Sequence, residues 1–426
     1  MCFPLTLYRG CMNKYFPINT TTACQLKWTW SSIYLYTGMT NSCHRVENTH
    51  LTTDTFKDFH NTPKKIADRK LMLDGQWPQG GCEYCKKIED AGGSSDRLLH
   101  LNIPNLTPPE LDVDASATSV TPRIVEVYLD NVCNMSCVYC QDKYSSKIQQ
   151  ENNRFGRFEK NGLVIDNFSS RDPNQTQLTD EFWTWMDTHY VDIRRLHILG
   201  GEPFYQRQFD ICMDFLYTHK NKELEFNIVS NLMIAPEKFK NYIMRIKQLI
   251  IDRKIKRFDL TASIDCWGAE QEYVRYGLNL DQWKENFEFL VNEKWITLNI
   301  NQVITSLTIP SIPDLLTYIN QCRATRDIGH YLISVNNPTH MNPDIFGPGY
   351  FDQHFVRILE VMPEDTWQQK EIKKYMEGVQ MQIANSKKNP AELIKLRTYL
   401  DELDRRRNQN WRTTFPWLVE ELDHVV

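Results

Sequence analysis

Asn131-Val-Cys-Asn-Met-Ser-Cys-Val-Tyr-Cys140 carries a Cys-x3-Cys-x2-Cys triplet directly behind the apolar alternation Arg123-Ile-Val-Glu-Val-Tyr-Leu129. The alternation reads as a strand, so Cys133, Cys137 and Cys140 lie on the loop that leaves its C-terminal end. Three thiolates in one turn-sized loop suit three irons of a four-iron, four-sulfur cluster. A structural zinc or an ordinary electron-transfer cluster asks for four protein ligands. One iron is left open to another ligand. A zinc loop that borrows its fourth ligand from elsewhere is the competing reading.

Outward from the triplet, β-rich runs at 123 to 129, 194 to 199, 225 to 230, 257 to 264, 298 to 305 and 330 to 336 alternate with amphipathic stretches such as Trp283-Lys-Glu-Asn-Phe-Glu-Phe-Leu-Val291. Six strands alternating with helices make an α/β fold of parallel units. Leu199-Gly-Gly-Glu-Pro203 follows the second strand. Gly200 and Gly201 let backbone approach a ligand closely, and the Glu202 carboxylate suits an ammonium group. Ser230-Asn231 and Ser263-Ile-Asp265 end the third and fourth strands, where hydroxyl, amide and carboxylate suit the polar edges of a nucleoside. Each pair reads equally as a helix N-cap.

The triplet spacing, with an aromatic residue before its third cysteine and Gly-Gly-Glu-Pro downstream, resembles the signature of radical S-adenosylmethionine (SAM) enzymes. The resemblance implies a partial (β/α)6 TIM-type barrel with chemistry at the C-terminal strand ends. It also implies a 4Fe-4S cluster on Cys133, Cys137 and Cys140 whose open iron chelates SAM, reductive cleavage to a 5′-deoxyadenosyl radical, and hydrogen abstraction from a substrate. Tyr139 then borders the adenine, and Gly200, Gly201, Glu202, Ser230, Asn231, Ser263 and Asp265 hold SAM. Arg275, in Glu272-Tyr-Val-Arg-Tyr-Gly277, takes its carboxylate.

A second cysteine set precedes the barrel segment. Cys24, Cys43, Cys82 and Cys85, spaced x18, x38 and x2, are a complete ligand set for a tetrahedral metal or a second cluster. An aromatic after the first cysteine, a glycine before the second and a closing Gly-Cys-x2-Cys resemble the twitch, or half-SPASM, auxiliary-cluster module. The module usually follows the barrel, and His44 stands where many relatives have a second adjacent cysteine. A zinc ribbon is the alternative, since spacing does not separate zinc from iron. A second 4Fe-4S cluster with four protein ligands implies electron transfer or a structural role.

At 426 residues the chain has room for two or three domains: an auxiliary-cluster domain over 1–101, a proline-rich linker over 102–122, the barrel over 123–345 and a helical extension over 346–426. The net charge of −5 excludes a global basic field for nucleic acid. No apolar run is long enough to cross a membrane. Twelve cysteines clustered in Cys-x2-Cys units read as metal ligands in a reducing cytoplasm rather than a disulfide scaffold.

The polar segment 142 to 177 reads either as a substrate-facing insertion or as a surface loop. Arg405-Arg-Arg407 reads as a solvated helix face. Cys266, beside a strand end of the SAM site, is a candidate hydrogen donor or acceptor for a substrate radical, with core packing as the plainer reading.

The leading expectation is a radical SAM enzyme, oxidoreductase or rearrangement and crosslinking catalyst. It acts on an unidentified small polar molecule, nucleotide or amino-acid derivative and is served by a reductant such as flavodoxin or ferredoxin. A peptide-modifying or maturase radical SAM enzyme is the near alternative. A zinc-binding interaction protein without catalysis, or an iron-sulfur electron carrier, is the reading from another class.

Overall fold

Alternation puts one face of each strand into a shared core and leaves the other for a different purpose. In the computed structural model, which describes residues 21–92, 95–101 and 118–425, this produces a nine-stranded sheet and two small ones. The N-terminal segment supplies β1 (Trp30–Tyr34), β2 (Met39–Asn41) and β3 (Thr49–His50). Around the triplet lie β4 (Ile124–Tyr128) and the short β5 (Ser136–Cys137), followed by a hairpin of β6 (Phe158–Lys160) and β7 (Leu163–Ile165). Then come β8 (Arg195–Leu199), β9 (Glu225–Ser230), β10 (Arg257–Ser263), β11 (Arg275–Tyr276), β12 (Thr297–Ile304) and β13 (Gly329–Ser334).

The large sheet runs β13-β12-β10-β9-β8-β4-β1-β2-β3. From β4 to β13 its six strands are parallel and in chain order. All six fall within two residues of the strands expected from sequence. Val125, Val127, Ile198, Phe226, Leu260 and Ile300 are fully buried on one face, in one core with Phe182, Phe209, Ile243 and Phe287 of the intervening helices. The opposite face is polar: Glu126, His197, Asn227, Asp259 and Asn299 occupy the alternate positions. Among the described residues the helices between these strands therefore pack on one face, unlike a doubly wound parallel sheet with both faces apolar.

β1 pairs parallel with β4, Ile33 opposite Val127, so the N-terminal segment continues the same sheet. Most of the expected linker, residues 102–117, lies outside the described residues, as do Cys2 and Cys11. A second core gathers the C-terminal helices Asp352–Val361, Trp367–Ala384, Pro390–Arg407 and Pro416–Asp423 against Val138 and Val274. Segment 142 to 177 is ordered into the helix Ser146–Phe155 and the β6–β7 hairpin, between the segment after β1 and the helix Pro390–Arg407. Gln149 Nε2 donates to Tyr36 Oη at 2.8 Å, and Asn161 Nδ2 donates to Thr398 Oγ1 at 2.9 Å.

One expectation is corrected here. Arg406 and Arg407 are not a solvated face; each is 7% exposed. Arg406 Nε donates to Glu402 and its Nη1 to Asn152, while Arg407 Nε donates to Glu151 at 2.9 Å. Among the described residues no helix is long and apolar enough to cross a membrane.

Candidate metal and cofactor site

The triplet loop is fastened along its whole length. Cys133 N donates to Ser146 Oγ at 3.1 Å, and Ser145 Oγ donates to the Met135 carbonyl at 2.7 Å. Asn134 Nδ2 reaches the Met233 carbonyl at 2.8 Å. β5, which holds Cys137, pairs antiparallel with β11, which holds Arg275. Tyr399 of the C-terminal extension donates to the Val138 carbonyl at 2.6 Å.

All three cysteines are free thiols, partly accessible, at the C-terminal end of β4. Burial, followed by the neighbouring Cys137, pushes Cys133 up to about 12. Burial and the other two thiols likewise push Cys140 far up. Among the described residues no three His, Cys, Asp or Glu side chains converge on one metal-ion position. A cluster asks instead that each thiolate meet its own iron.

The Gly-Gly-Glu loop packs on this same backbone. Gly200 and Gly201 have φ of +84° and +51°, and a Cβ on either would strike the carbonyls of Asp130 or Val132 at 2.8 and 2.1 Å. The side chain of Gln206 bridges the Asp130 and Val132 carbonyls. Glu202 is 1% exposed. Its Oε1 accepts from Ser230 Oγ at 2.9 Å and Phe204 N at 3.3 Å, and its Oε2 accepts from Asn231 N at 2.7 Å.

Three of the four lone-pair positions of the Glu202 carboxylate are thereby used, and the free one is on Oε2. No cation pairs with it among the described residues, and burial pushes its carboxyl up to about 7 against those three hydrogen bonds. A ligand ammonium fits that vacancy in chemistry as well as charge.

Ser230 and Asn231 are spent inside the protein. Ser230 Oγ also accepts from Leu232 N, and Asn231 bonds Asn134 and Met233 N. Their place is therefore behind Glu202, where they aim it.

Asp265 differs from expectation in the same way. Its carboxylate takes Arg275 Nε and Nη2 at 2.8 Å each, Tyr139 Oη at 2.7 Å and Val303 N at 3.0 Å. Four donors saturate it, so it orients Arg275 rather than offering an acceptor to a ribose. The Asp265 pair uses Arg275 Nε and Nη2 and leaves Nη1 out of it, and the Tyr139 ring lies 5.7 Å from the guanidinium. Ser263, 7% exposed, ends β10 next to them. Cys266 is fully buried, and burial first of all drives its thiol well above the ordinary range, which makes it core packing.

The N-terminal cysteines also come together. Cys24 and Cys82 share a small core with Trp28 and Met72, against which Cys43 packs. Burial and then Cys43 push Cys24 up to about 12, and Cys43 and Cys85 both act on Cys82. Gly81 makes this possible: its φ is +126°, and a Cβ there would lie 2.0 Å from the Arg45 carbonyl, two residues after Cys43. Lys27, 1% exposed and ion-paired with Asp68 at 2.5 Å, is within electrostatic reach of Cys24, Cys43 and Cys82. Three thiols within reach of a buried cation, with Cys85 beside Cys43 and Cys82, suit an anionic metal-thiolate centre in their donor chemistry. The His44 side chain is 64% exposed and turned toward Asp96.

A family model described as a 4Fe-4S single cluster domain matches residues 123–257. The match runs from the first residue of the β4 alternation to the start of β10 and includes the triplet and Gly-Gly-Glu-Pro. A 4Fe-4S cluster on the triplet agrees with it. Among solved structures, one titled "Native anSMEcpe with bound AdoMet" is similar at 15% identity and a TM-score of 0.34, over 56% of this chain and 58% of that chain. The chain thus spans little more than half the length of that relative. The comparison with curated proteins finds no match.

Sequence reasoning missed Gln206, Asn134 and Tyr399, all of which hold the loop through backbone carbonyls, a role with no local signature. It also passed over Glu126, a charged residue inside an apolar alternation, which was visible as an anomaly.

Proposed function

We propose that this chain is a radical SAM enzyme. Cys133, Cys137 and Cys140 hold a 4Fe-4S cluster, and SAM sits across the C-terminal ends of β4, β8, β9 and β10. When bound and reduced, that pair of cofactors supplies a 5′-deoxyadenosyl radical for hydrogen abstraction. The protein's part is orientation and exclusion of water. The observation that carries the reading is the seating of the Gly-Gly-Glu loop directly on the triplet loop, with a buried carboxylate that meets no cation among the described residues.

In this arrangement Glu202 accepts the SAM ammonium, and Arg275, held by Asp265, faces the SAM carboxylate. Tyr139 borders the adenine, and Ser263 meets the nucleoside. A partial barrel is supported by six parallel strands in chain order whose apolar face packs on the intervening helices while the other face is polar.

The four N-terminal cysteines hold a second iron-sulfur cluster, for electron transfer or structure, with zinc as the alternative. A flavodoxin- or ferredoxin-type reductant in a reducing cytoplasm serves the reaction. The inward polar face favours a small polar substrate.

Electron paramagnetic resonance of the dithionite-reduced, anaerobically reconstituted protein tests this reading. SAM should change the spectrum of a cluster that Cys133→Ala/Cys137→Ala/Cys140→Ala lacks; a spectrum indifferent to SAM contradicts it. Cys82→Ala/Cys85→Ala should lower bound iron from about eight to about four atoms per chain.

A further inference from the structure

The inner face of the sheet carries ionisable groups that cofactor binding leaves unused. Glu126 on β4 and His197 on β8 are register partners on adjacent parallel strands, and Ser32 of β1 is the partner of Glu126 on the other side. Ser32 Oγ donates to Glu126 Oε1 at 2.9 Å. The His197 ring packs against Trp30 of β1, centroids 5.5 Å apart, and its Nε2 is buried with no hydrogen-bond partner among the described residues. The row continues through Asn227 and Asp259, joined by one hydrogen bond of 3.2 Å, yet Asn227 Oδ1 and Asp259 Oδ1 are also buried and unpartnered.

Toward the N-terminal strand ends, Glu225 gathers Arg195 and Arg257 into a charged floor, in which Arg257 Nε is unpartnered too. Toward the C-terminal ends, Tyr128 stacks on Tyr34 at 4.4 Å and faces Tyr144 at 5.5 Å. These three tyrosines, with Asp130 and Lys143, line a cavity beside the triplet loop.

Buried polar atoms left without partners are costly, and the acceptors Asn227 Oδ1 and Asp259 Oδ1 beside the free His197 ring nitrogen point to a ligand that donates hydrogen bonds. We propose that this strip, Glu126, His197, Asn227 and Asp259 under the tyrosine-walled cavity, binds a hydroxyl- or ammonium-bearing group of the substrate, and that Glu126 takes its proton. In that step the donor's O–H or N–H bond breaks heterolytically. The electron pair stays on the donor atom, and the proton forms a new O–H bond on the Glu126 carboxylate.

The groups facing Glu126 are Ser32 and Tyr34 from β1, Tyr128 from its own strand, His197 from β8 and Tyr144 from beyond the triplet. Burial pushes Glu126 up to about 7, and burial with the Arg195 charge lowers His197 to about 3. The base is thus poised near neutrality beside an uncharged imidazole, as general-base work requires. The inference rests on the radical SAM reading for the reaction it serves.

Infrared difference spectra of the anaerobically reconstituted protein, taken from pH 5 to pH 9, test it. Glu202 titrates in the same range, so Glu126→Gln assigns the band. A protonated-carboxyl band should titrate near pH 7 in the wild type and be missing in Glu126→Gln. Methylammonium chloride should lower its midpoint by about one pH unit if the site takes ammonium groups. Methanol should move the band frequency instead if it takes hydroxyls. Sodium chloride should do neither.

Should Glu126→Gln fail to fold, Ser32→Ala serves instead, and its loss of a donor should raise the midpoint. A band indifferent to both probes overturns the site. Absence of any band that depends on Glu126 or Ser32 overturns Glu126 as the base. SAM cleavage by the same wild-type sample is scored separately: its absence strikes the radical SAM reading and leaves the infrared result standing.

Discussion

A Cβ on Gly201 would stand 2.1 Å from the carbonyl oxygen of Val132, the residue before the first cysteine of the triplet. Glu202 N donates to that same carbonyl at 2.8 Å, so the two motifs that carry the chemistry share one backbone contact. Gly201→Ala must displace main chain and also strain a residue at φ +51°. A loss of about 2–4 kcal/mol in urea unfolding, together with reduced iron uptake on reconstitution, is expected. Wild-type stability and iron content would refute the coupling of the two loops.

Asp265 and Arg275 form a buried bidentate pair, 0% and 7% exposed at their side chains. Asp265→Asn leaves the guanidinium without its counter-charge, and should cost about 3–5 kcal/mol in denaturant unfolding. Arg275→Lys keeps the charge but loses the fork, so it should weaken SAM binding more than it weakens the fold. Calorimetric titration of SAM into each reconstituted variant separates the two effects.

Glu202 gives a pH dependence of definite sign. Its folded carboxyl is raised from the ordinary 4.5 to about 7 by burial. The stability this contributes is whole below pH 4.5 and is lost as pH climbs through 7. Glu126 acts in the same direction. The unfolding free energy of the ligand-free protein should therefore fall between pH 5 and pH 8, by about 1–3 kcal/mol for Glu202. SAM binding at pH 6 should release a proton, read from the buffer dependence of the binding enthalpy, because the ammonium favours the ionised carboxylate.

Arg407 and Glu151 join the helix Pro390–Arg407 to the helix Ser146–Phe155 that follows the triplet, with side chains 3% and 13% exposed. A double-mutant cycle with Arg407→Met and Glu151→Gln should give a coupling of about 1–3 kcal/mol. A coupling near zero would mean that the extension does not brace the cluster loop through this pair.

What the sequence disclosed was local. The six parallel strands were legible because apolar residues alternate in each, and the triplet and Gly-Gly-Glu-Pro because their spacing is itself the chemistry. Partners distant in sequence were not legible. Nothing in Trp30-Ser-Ser-Ile-Tyr34 announces that it will lie beside Ile124–Tyr128, some 94 residues away. Arg406 and Arg407 looked solvated because the residues that bury them, Asn152 and Glu151, are about 250 positions upstream. Asp265 looked like a ligand contact for the same reason: Arg275 of β11, Tyr139 of the triplet loop and Val303 of β12, which fill its lone pairs, come from three separate stretches of sequence.

The most direct test of the central claim is formation of 5′-deoxyadenosine when dithionite and SAM are added to anaerobically reconstituted protein. The wild type should form it, and Cys133→Ala/Cys137→Ala/Cys140→Ala should not, while still retaining the iron of the N-terminal cysteines. No 5′-deoxyadenosine from a wild-type protein with full iron and sulfide, or undiminished formation by the triple variant, would contradict the assignment.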